Sequence, residues 1–592
     1  MGSTGQVATG HDRAVSSLNA ELTPTEKTTG PEEKAPTMSE DNNIEETESP
    51  ERPKGVRFAI LFASILAGDF FVGYGVVGLE LRRDTHFVSQ LPPAFLQHRL
   101  RTQTYLIRRT LSLLAFCSTV LIYGQIYSFY SMKTAYMASF FVFVIGSVVA
   151  ASAPNSTAFI VGRALSGLGS AGVFAGSSII VANTTSLKHR PIYTAMSGGI
   201  ECIALAFGPV ISGAVARYSK WRISFYIIIP IGVAVILSVL FFVRNIQLPE
   251  HAGLSNKEKL KRLDVPGFAI FIPWAISVIL VLEWAGTEYS WSSWRIILLW
   301  AIAGVLFLAF LGVEYRTGDD SMFPLKLMRQ RSVAVGSMFT FCNSAALFVT
   351  AYYLPIYFQA IRDASTFESG IMYLPTAIPF ALAVLAAGPV TSLIGYYTPV
   401  MVIGSVLMAV ATGLYTTFSP TTPPSEWISY QILYGIGVGL AFQQPYTAVQ
   451  TVLPEALVAT ALVVLSFTQE IGSIVALSVA QNMFTNRLTR NLIREVPGLD
   501  PKLVLKNGAL GIKNIIPEEF MAGVKSAYND AIIDVYYLAL ALTCLTVVGA
   551  VFIEWKSVRE EKEEKTAETK AVEEEAKEKQ QEKLTVSDGG ST

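Results

Sequence analysis

The chain has 592 residues, of which 51% are hydrophobic and only 15% charged, and its mean hydropathy is +0.43; this is far more apolar than a soluble chain needs, so most of it belongs in lipid. A net charge of −1 argues against a nucleic-acid partner, because displacing counterions from phosphates takes a concentrated basic surface. Cys117, Cys202, Cys342 and Cys544 fall in apolar stretches with neither C-x-x-C nor Cys/His ligand spacing, which speaks against disulfides and a metal site and predicts four small core hydrophobes.

Residues 1–54 are rich in Thr, Ser, Glu, Pro and Gly and hold no apolar run, predicting a disordered cytoplasmic tail. The first apolar run begins near Phe58 and reads as a span acting as its own signal-anchor rather than as a cleavable signal. A bilayer core of roughly 30 Å takes about 20 apolar residues, and only closed backbone hydrogen bonding survives there, so each such run predicts a helix. Fourteen runs lie near 57–79, 111–129, 134–153, 158–182, 192–215, 222–243, 266–284, 295–315, 333–359, 369–394, 399–418, 428–453, 457–482 and 535–554. With the N-terminus inside, the inner loops hold Lys133, Lys188 and Arg190, then Arg244, Lys257, Lys259, Lys261 and Arg262, then Arg316, Lys326, Arg329 and Arg331; the short outer loops hold Arg217, Lys220, Arg222, Arg295 and Arg362. Positive charge stays on the cytoplasmic side, so both termini are expected there. Residues 556–592 alternate Glu and Lys and predict a charged, solvated cytoplasmic tail.

Two features of the loops stand apart. Asn155-Ser156-Thr157 is a glycosylation sequon beside the membrane, and Asn155 next to Pro154 reads equally as a helix N-cap. Residues 75–110 place Arg82, Arg83, Arg99, Arg101, Arg108 and Arg109 on the outer side, against the positive-inside preference.

Within the spans, the fourth reads FIVGRALSGLGSAGVFAGSSIIV. Gly169, Gly172 and Gly176 should let another helix approach closely, and Arg163 lies within the hydrophobic depth, where an ionisable group usually faces a wet cavity or a partner; a helix-tying role is the alternative. The fifth reads SGGIECIALAFGPVISGAV. Gly208-Pro209 removes a backbone donor, and Gly213 keeps its neighbour close, a combination that predicts a conformational hinge.

These two spans resemble the R-x-x-x-G-x-G and G-P-x-x-x-G signatures of the major facilitator superfamily, the second being typical of its proton-coupled exporters. WRISFYIIIPIG from Trp221, LDVPG from Leu263, YYLPIYFQAIRDASTFESGIMYLP from Tyr352 and GIGVGLAFQQPYTAVQTVLP from Gly435 look like further segments of its fourteen-spanner drug:proton antiporters, especially the fungal toxin and multidrug efflux branch. The resemblance runs from about Leu113 to Glu554. It implies an all-α polytopic fold: an N-terminal six-helix bundle over 55–243, a linker with two extra spans over 244–332, and a C-terminal six-helix bundle over 333–555, the bundles related as parallel repeats around a midplane cavity. Two departures are visible. The loop GQIYSFYSMK keeps Gly124 and Lys133 but lacks the family's usual acid and basic run, and Ile228 stands where an Asn is usual. Against the family pattern, residues 75–110 are also anomalous, either as a translated intron or frameshift or as a true external basic loop; on the first account Asp69 is not the counterpart of the family's span 1 acid.

Proton-coupled transport needs a titratable group exposed alternately to each side, and buried carboxylates answer that need. Glu201 in span 5 and Glu470 in span 13 are such groups, and under the repeat architecture they occupy related places facing the bundle interface. Counting along the helices puts Glu201 and Arg163 within about 10 Å along the membrane normal. The expected coupling set is therefore Glu201, Arg163 and Glu470, with protonation of Glu201 releasing Arg163; a static buried ion pair is the alternative. Gln443, Gln444 and Gln450 on span 12, with Tyr353, Tyr357 and Gln359 on span 9, are expected to line a substrate cavity for polar, neutral molecules, although such an aromatic stripe also suits packing.

No G-x-x-x-x-G-K-[ST] or H-E-x-x-H motif occurs and the chain has five His, so neither an enzyme nor an ATP-driven pump is expected. No cofactor is expected. The reading is a monomeric, multi-pass plasma-membrane exporter of small organic molecules driven by protons, with a vacuolar or vesicular membrane as the other location. Siderophore-iron or other small-solute uptake by the same fold is one alternative, and a non-transporting membrane receptor another.

Overall fold

The computed structural model describes residues 56–74, 101–218, 222–242, 255–286, 289–318 and 321–559. The tails expected over 1–54 and beyond 559, and residues 75–100 of the anomalous segment, lie outside the described residues. So do the side chains of 205–218, which include Gly208, Pro209 and Gly213 of the expected hinge; the backbone there is helical.

A helix lies over each of the fourteen apolar runs. In the first lobe these are α1 (Val56–Gly73), α2 (Arg101–Phe129), α3 (Met132–Ser152), α4 (Ser156–Thr184), α5 (Arg190–Tyr218) and the pair α6 (Ile223–Tyr226) and α7 (Ile228–Phe242). The connecting segment carries α8 (Asn256–Arg262), α9 (Val265–Trp284), α10 (Trp294–Thr317) and α11 (Leu325–Arg329). The second lobe holds α12 (Arg331–Ile361), α13 (Thr366–Ile394), α14 (Thr398–Tyr415), α15 (Pro424–Phe442), α16 (Gln444–Val452), α17 (Glu455–Glu495), α18 (Pro501–Ile515) and α19 (Glu518–Phe552). Ten of the described helices are long and apolar enough to cross a membrane, and Phe58–Gly73 and Ala115–Phe129 are shorter apolar helices.

Local chemistry sets many of these boundaries. Asn155 realises the N-cap reading: its side chain accepts from the Ala158 amide at 2.9 Å, satisfying one of the first-turn donors that a helix leaves open. Asp264 caps α9 in the same way, accepting from Gly267 N at 2.9 Å. Ser365 and Glu368 form a capping box at the start of α13, and Gly395, at φ +86°, ends that helix in the left-handed region where a side chain is disfavoured. Three boundaries differ from expectation. Helix α2 begins at Arg101, so the last residues of the anomalous segment are helical; α17 runs on to Glu495, and α19 begins at Glu518. A hydropathy window ends where polar residues begin, but intrahelical hydrogen bonds continue through them.

The glycines of span 4 do what their spacing predicts. A Cβ on Gly169 would stand 2.3 Å from Phe143 N, one on Gly172 2.3 Å from Ser139 Oγ, and one on Gly176 2.0 Å from Tyr127 Oη. Helices α3 and α4 thus touch backbone to backbone. Around this seam Leu61, Cys117, Val120, Tyr127, Tyr136, Phe140, Phe143 and Ile179 form one core, and Tyr353, Tyr357, Phe358, Tyr415, Tyr434 and Tyr536 anchor another in the second lobe. Only 17% of the Trp294–Thr317 window is buried, against 72% of Arg331–Ile361, which turns α10 outward and places α12 centrally. Cys117, Cys202 and Cys342 are buried as expected, but Cys544 is exposed, because it occupies the outward face of α19, where an apolar run looks the same in sequence as an inward one.

The lobes meet along two pairs of helices, α2 against α17 and α5 against α13. The inserted α9 packs on α2 and α17. At one end Gln125 of α2 accepts from the Asp264 amide at 3.0 Å; at the other Ser478 and Asn482 of α17 donate to the Leu282 and Ala285 carbonyls.

Candidate functional site

The seam between the lobes collects the acids. Glu201, on α5, is partly buried, and its charged neighbours are Glu470 on α17 and Asp69 on α1. Glu201 thus interacts electrostatically with an acid of each lobe. Arg163 is buried in the same lobe, 4% exposed on α4, where α4 packs tightly within that lobe: the Ser112 hydroxyl donates to the Arg163 carbonyl at 3.0 Å, and a Cβ on Gly162 would meet the Ala150 backbone.

Asp69 was missed by sequence reasoning. It is 6% exposed, accepts a hydrogen bond from Ser197 of α5 and is also bonded to Ser177 of α4. Three helices of one lobe thus converge on this carboxylate. Its signal was an acid within an otherwise apolar run, which is costly in a bilayer and so rarely idle.

On the opposite lobe, the span expected over 428–453 is broken in two at Gln443, with Pro445 at the start of the following helix. A proline cannot donate to the preceding turn, and a break here re-aims the side chains around it. The Gln443 amide packs directly on Gly198 of α5: a Cβ at Gly198 would stand 1.9 Å from Gln443 Nε2. Tyr446, also missed, is 3% exposed, donates to Gln469 Oε1 at 2.9 Å, and lies within electrostatic reach of both Glu201 and Glu470. The structure therefore brings together Asp69, Glu201, Gln443, Tyr446, Gln469 and Glu470, donors and acceptors drawn from both lobes.

The remaining expected cavity residues all belong to the second lobe. Gln444 accepts from Thr391 at 3.1 Å and donates to the Leu440 carbonyl, all within the second lobe. Gln359 donates to Ser369 at 2.9 Å, tying α12 to α13. Tyr353 and Tyr357 are fully buried; the first packs on Phe484, and the second stacks on Phe418 and donates to the Ser419 carbonyl at 2.8 Å. Both make aromatic packing contacts inside the second lobe. Gln450 is buried toward one end of the seam, where its carbonyl accepts from Arg190 at 3.3 Å.

One further feature bears on motion. Helix α13, which packs on α5 across the seam, carries Pro375, Pro379 and Pro389 within its length. Each removes a backbone hydrogen bond, so this face of the seam is built from a helix that bends readily.

A family model described as "Major Facilitator Superfamily" matches residues 109–477. The chain is 42% identical over 77% of its length to a protein of Arthroderma benhamiae named "MFS-type efflux pump MFS1", covering 85% of that protein. It is 39% identical over 76% of its length to "Efflux pump aflT" of Aspergillus parasiticus, covering 88% of it. A solved structure of the proton:xylose symporter XylE aligns with a TM-score of 0.51 at 14% identity, over 85% of this chain and 97% of that one.

Proposed function

Because this chain belongs to the major facilitator superfamily and is a multi-pass membrane transporter of small molecules, we propose that it exports small organic molecules, toxins or secondary metabolites among them, in exchange for protons. The observation that carries this reading is the electrostatic interaction of Glu201, within an apolar helix, with Glu470 and Asp69. Acids that interact through an apolar interior do not all ionise cheaply. A proton taken up from one side and given up to the other resolves that conflict, and the lobes alternate around the pair. Asp69, held by two serine hydroxyls, stands behind Glu201 as a further acceptor.

Export is the direction supported by the two efflux pumps named above, and by the Gly208-Pro209-Gly213 arrangement of span 5. In this reading the chain crosses the membrane fourteen times with both termini in the cytoplasm, acts as a monomer and resides in the plasma membrane. Gln443 belongs to the substrate cavity by its place on the seam, and Arg163 belongs with Glu201 and Glu470 to the coupling set.

The test is transport by the full chain reconstituted in vesicles with an imposed pH gradient, using a panel of toxins and secondary metabolites. Glu201→Gln keeps the side-chain shape and removes the ionisable proton; gradient-driven transport should fall at least about tenfold at unchanged protein abundance, the loss of one coupling interaction of about 1.4 kcal/mol or more. Unaltered gradient-driven transport by Glu201→Gln would refute the coupling role. Movement of siderophore-iron with the gradient, in place of expulsion against it, would replace export by uptake.

A further inference from the structure

The last carbonyls of a helix have no intrahelical donor and sit at the negative end of its dipole, so a cation placed there is well used. Two such ends, from different lobes, share one cation in this protein. Helix α4 of the first lobe ends at Thr184 with Thr185 as its cap, and α16 of the second ends at Val452. Arg190, the first residue of α5 and 6% exposed, donates from Nε to the Thr185 carbonyl and from Nη1 to the Gln450 carbonyl, both at 3.3 Å. A guanidinium suits this position because it stays charged and offers donors in two directions from one plane.

The neighbouring contacts close the same end. Ser392 of α13 donates to the Lys188 carbonyl at 2.7 Å. Gly388 lies so near Pro191 that a Cβ there would stand 2.4 Å from its carbonyl oxygen. Three contacts thus tie the short loop before α5 and the first turn of α5 to the opposite lobe. The GQIYSFYSMK loop does something else: Lys133 donates to the Leu240 carbonyl at 2.6 Å, within its own lobe.

We propose that Arg190 is the latch of the cytoplasmic gate, joining the C-terminal ends of α4 and α16 when that side is closed and parting from α16 each time it opens. The cytoplasmic placement rests on the positive charge of the inner loops; the latch itself depends on neither the direction of transport nor proton coupling. Alternating access requires this end of the seam to separate, and the Arg190–Gln450 bond is among the first that separation must break. Hydrogen bonds to charged groups in this setting shift a two-state balance by roughly tenfold to a hundredfold.

The experiment measures the distance between spin labels at Thr134, exposed at the start of α3, and Leu457, exposed at the start of α17, in the full chain carrying Cys544→Ser and held in lipid nanodiscs. Arg190→Gln should raise the ratio of long to short distances about tenfold or more, and Arg190→Lys, which keeps the charge but loses the two-way reach, should raise it less. Should Arg190→Gln fail to fold, Gly388→Ala supplies the second arm, since its methyl group forces the same end apart and must move the ratio in the same direction. An unchanged distance distribution in whichever of these variants folds overturns the latch. Because no solute or gradient is present, that failure is distinct from failure of the export reading.

Discussion

Gly169→Ala and Gly304→Ala make the same chemical change with opposite expected signs. On α4, the new methyl carbon would lie 2.3 Å from Phe143 N and 2.6 Å from its Cα, where ordinary contact begins at 3.4 Å, so α3 and α4 must part by about 1 Å. The opposing atoms are backbone, and no rotamer change relieves them. A gap of that size forfeits roughly a quarter to a half of each dispersion contact along the seam, and overpacking of this kind costs about 1–3 kcal/mol. The gain from replacing a helical glycine with alanine is about 1 kcal/mol, leaving Gly169→Ala destabilised by up to about 2 kcal/mol. Gly304, on the outward-facing α10, has nothing within 4 Å of the same methyl position. There only the helix-propensity gain remains, and Gly304→Ala should stabilise by up to about 1 kcal/mol. Thermal unfolding of the purified proteins in one detergent, followed by tryptophan fluorescence, reads both. A Gly169→Ala protein that melts at or above the Gly304→Ala protein would show that α3 and α4 are not in backbone contact, and the argument from glycine spacing would fall with it.

Asn155→Ala should lower stability by about 1 kcal/mol through loss of the α4 cap, while Thr157→Ala, which destroys the sequon but leaves the cap, should not; equal effects in unfolding experiments would show that the sequon matters more than the cap. Of the four cysteines, only Cys544 should react with a membrane-permeant maleimide in the folded protein, since Cys117, Cys202 and Cys342 are buried. Mass spectrometry that finds any of those three labelled as fast as Cys544 would contradict the packing described.

The legible parts of the site were those that a single residue announces. Glu201 and Glu470 stand out as acids in apolar runs, and the two interact electrostatically. Asp69 carried the same signal and was set aside, because the unusual stretch that follows it obscured its relation to the rest of span 1. Pro445 was a readable break within the Gln443–Gln450 run, for a proline without an amide cannot continue that helix unchanged, and it explains why Gln443 reaches Gly198 while Gln444 turns back into its own lobe. Which residues of a span face a cavity depends on how its helix is rotated, and an apolar helix in lipid carries little amphipathic contrast to reveal that in sequence.

From its residue order alone this protein is a bundle of membrane helices with identifiable starts, stops and glycine seams. Hydrophobic length, capping side chains and absent Cβ atoms act over a few residues, and those residues are adjacent in the chain. Which faces meet was settled only by packing: Gln443 on Gly198 and Arg190 on Gln450 join positions some 245 to 260 residues apart. Such pairs form through the fit of whole lobes, a property of the assembled surfaces and of no local stretch of sequence.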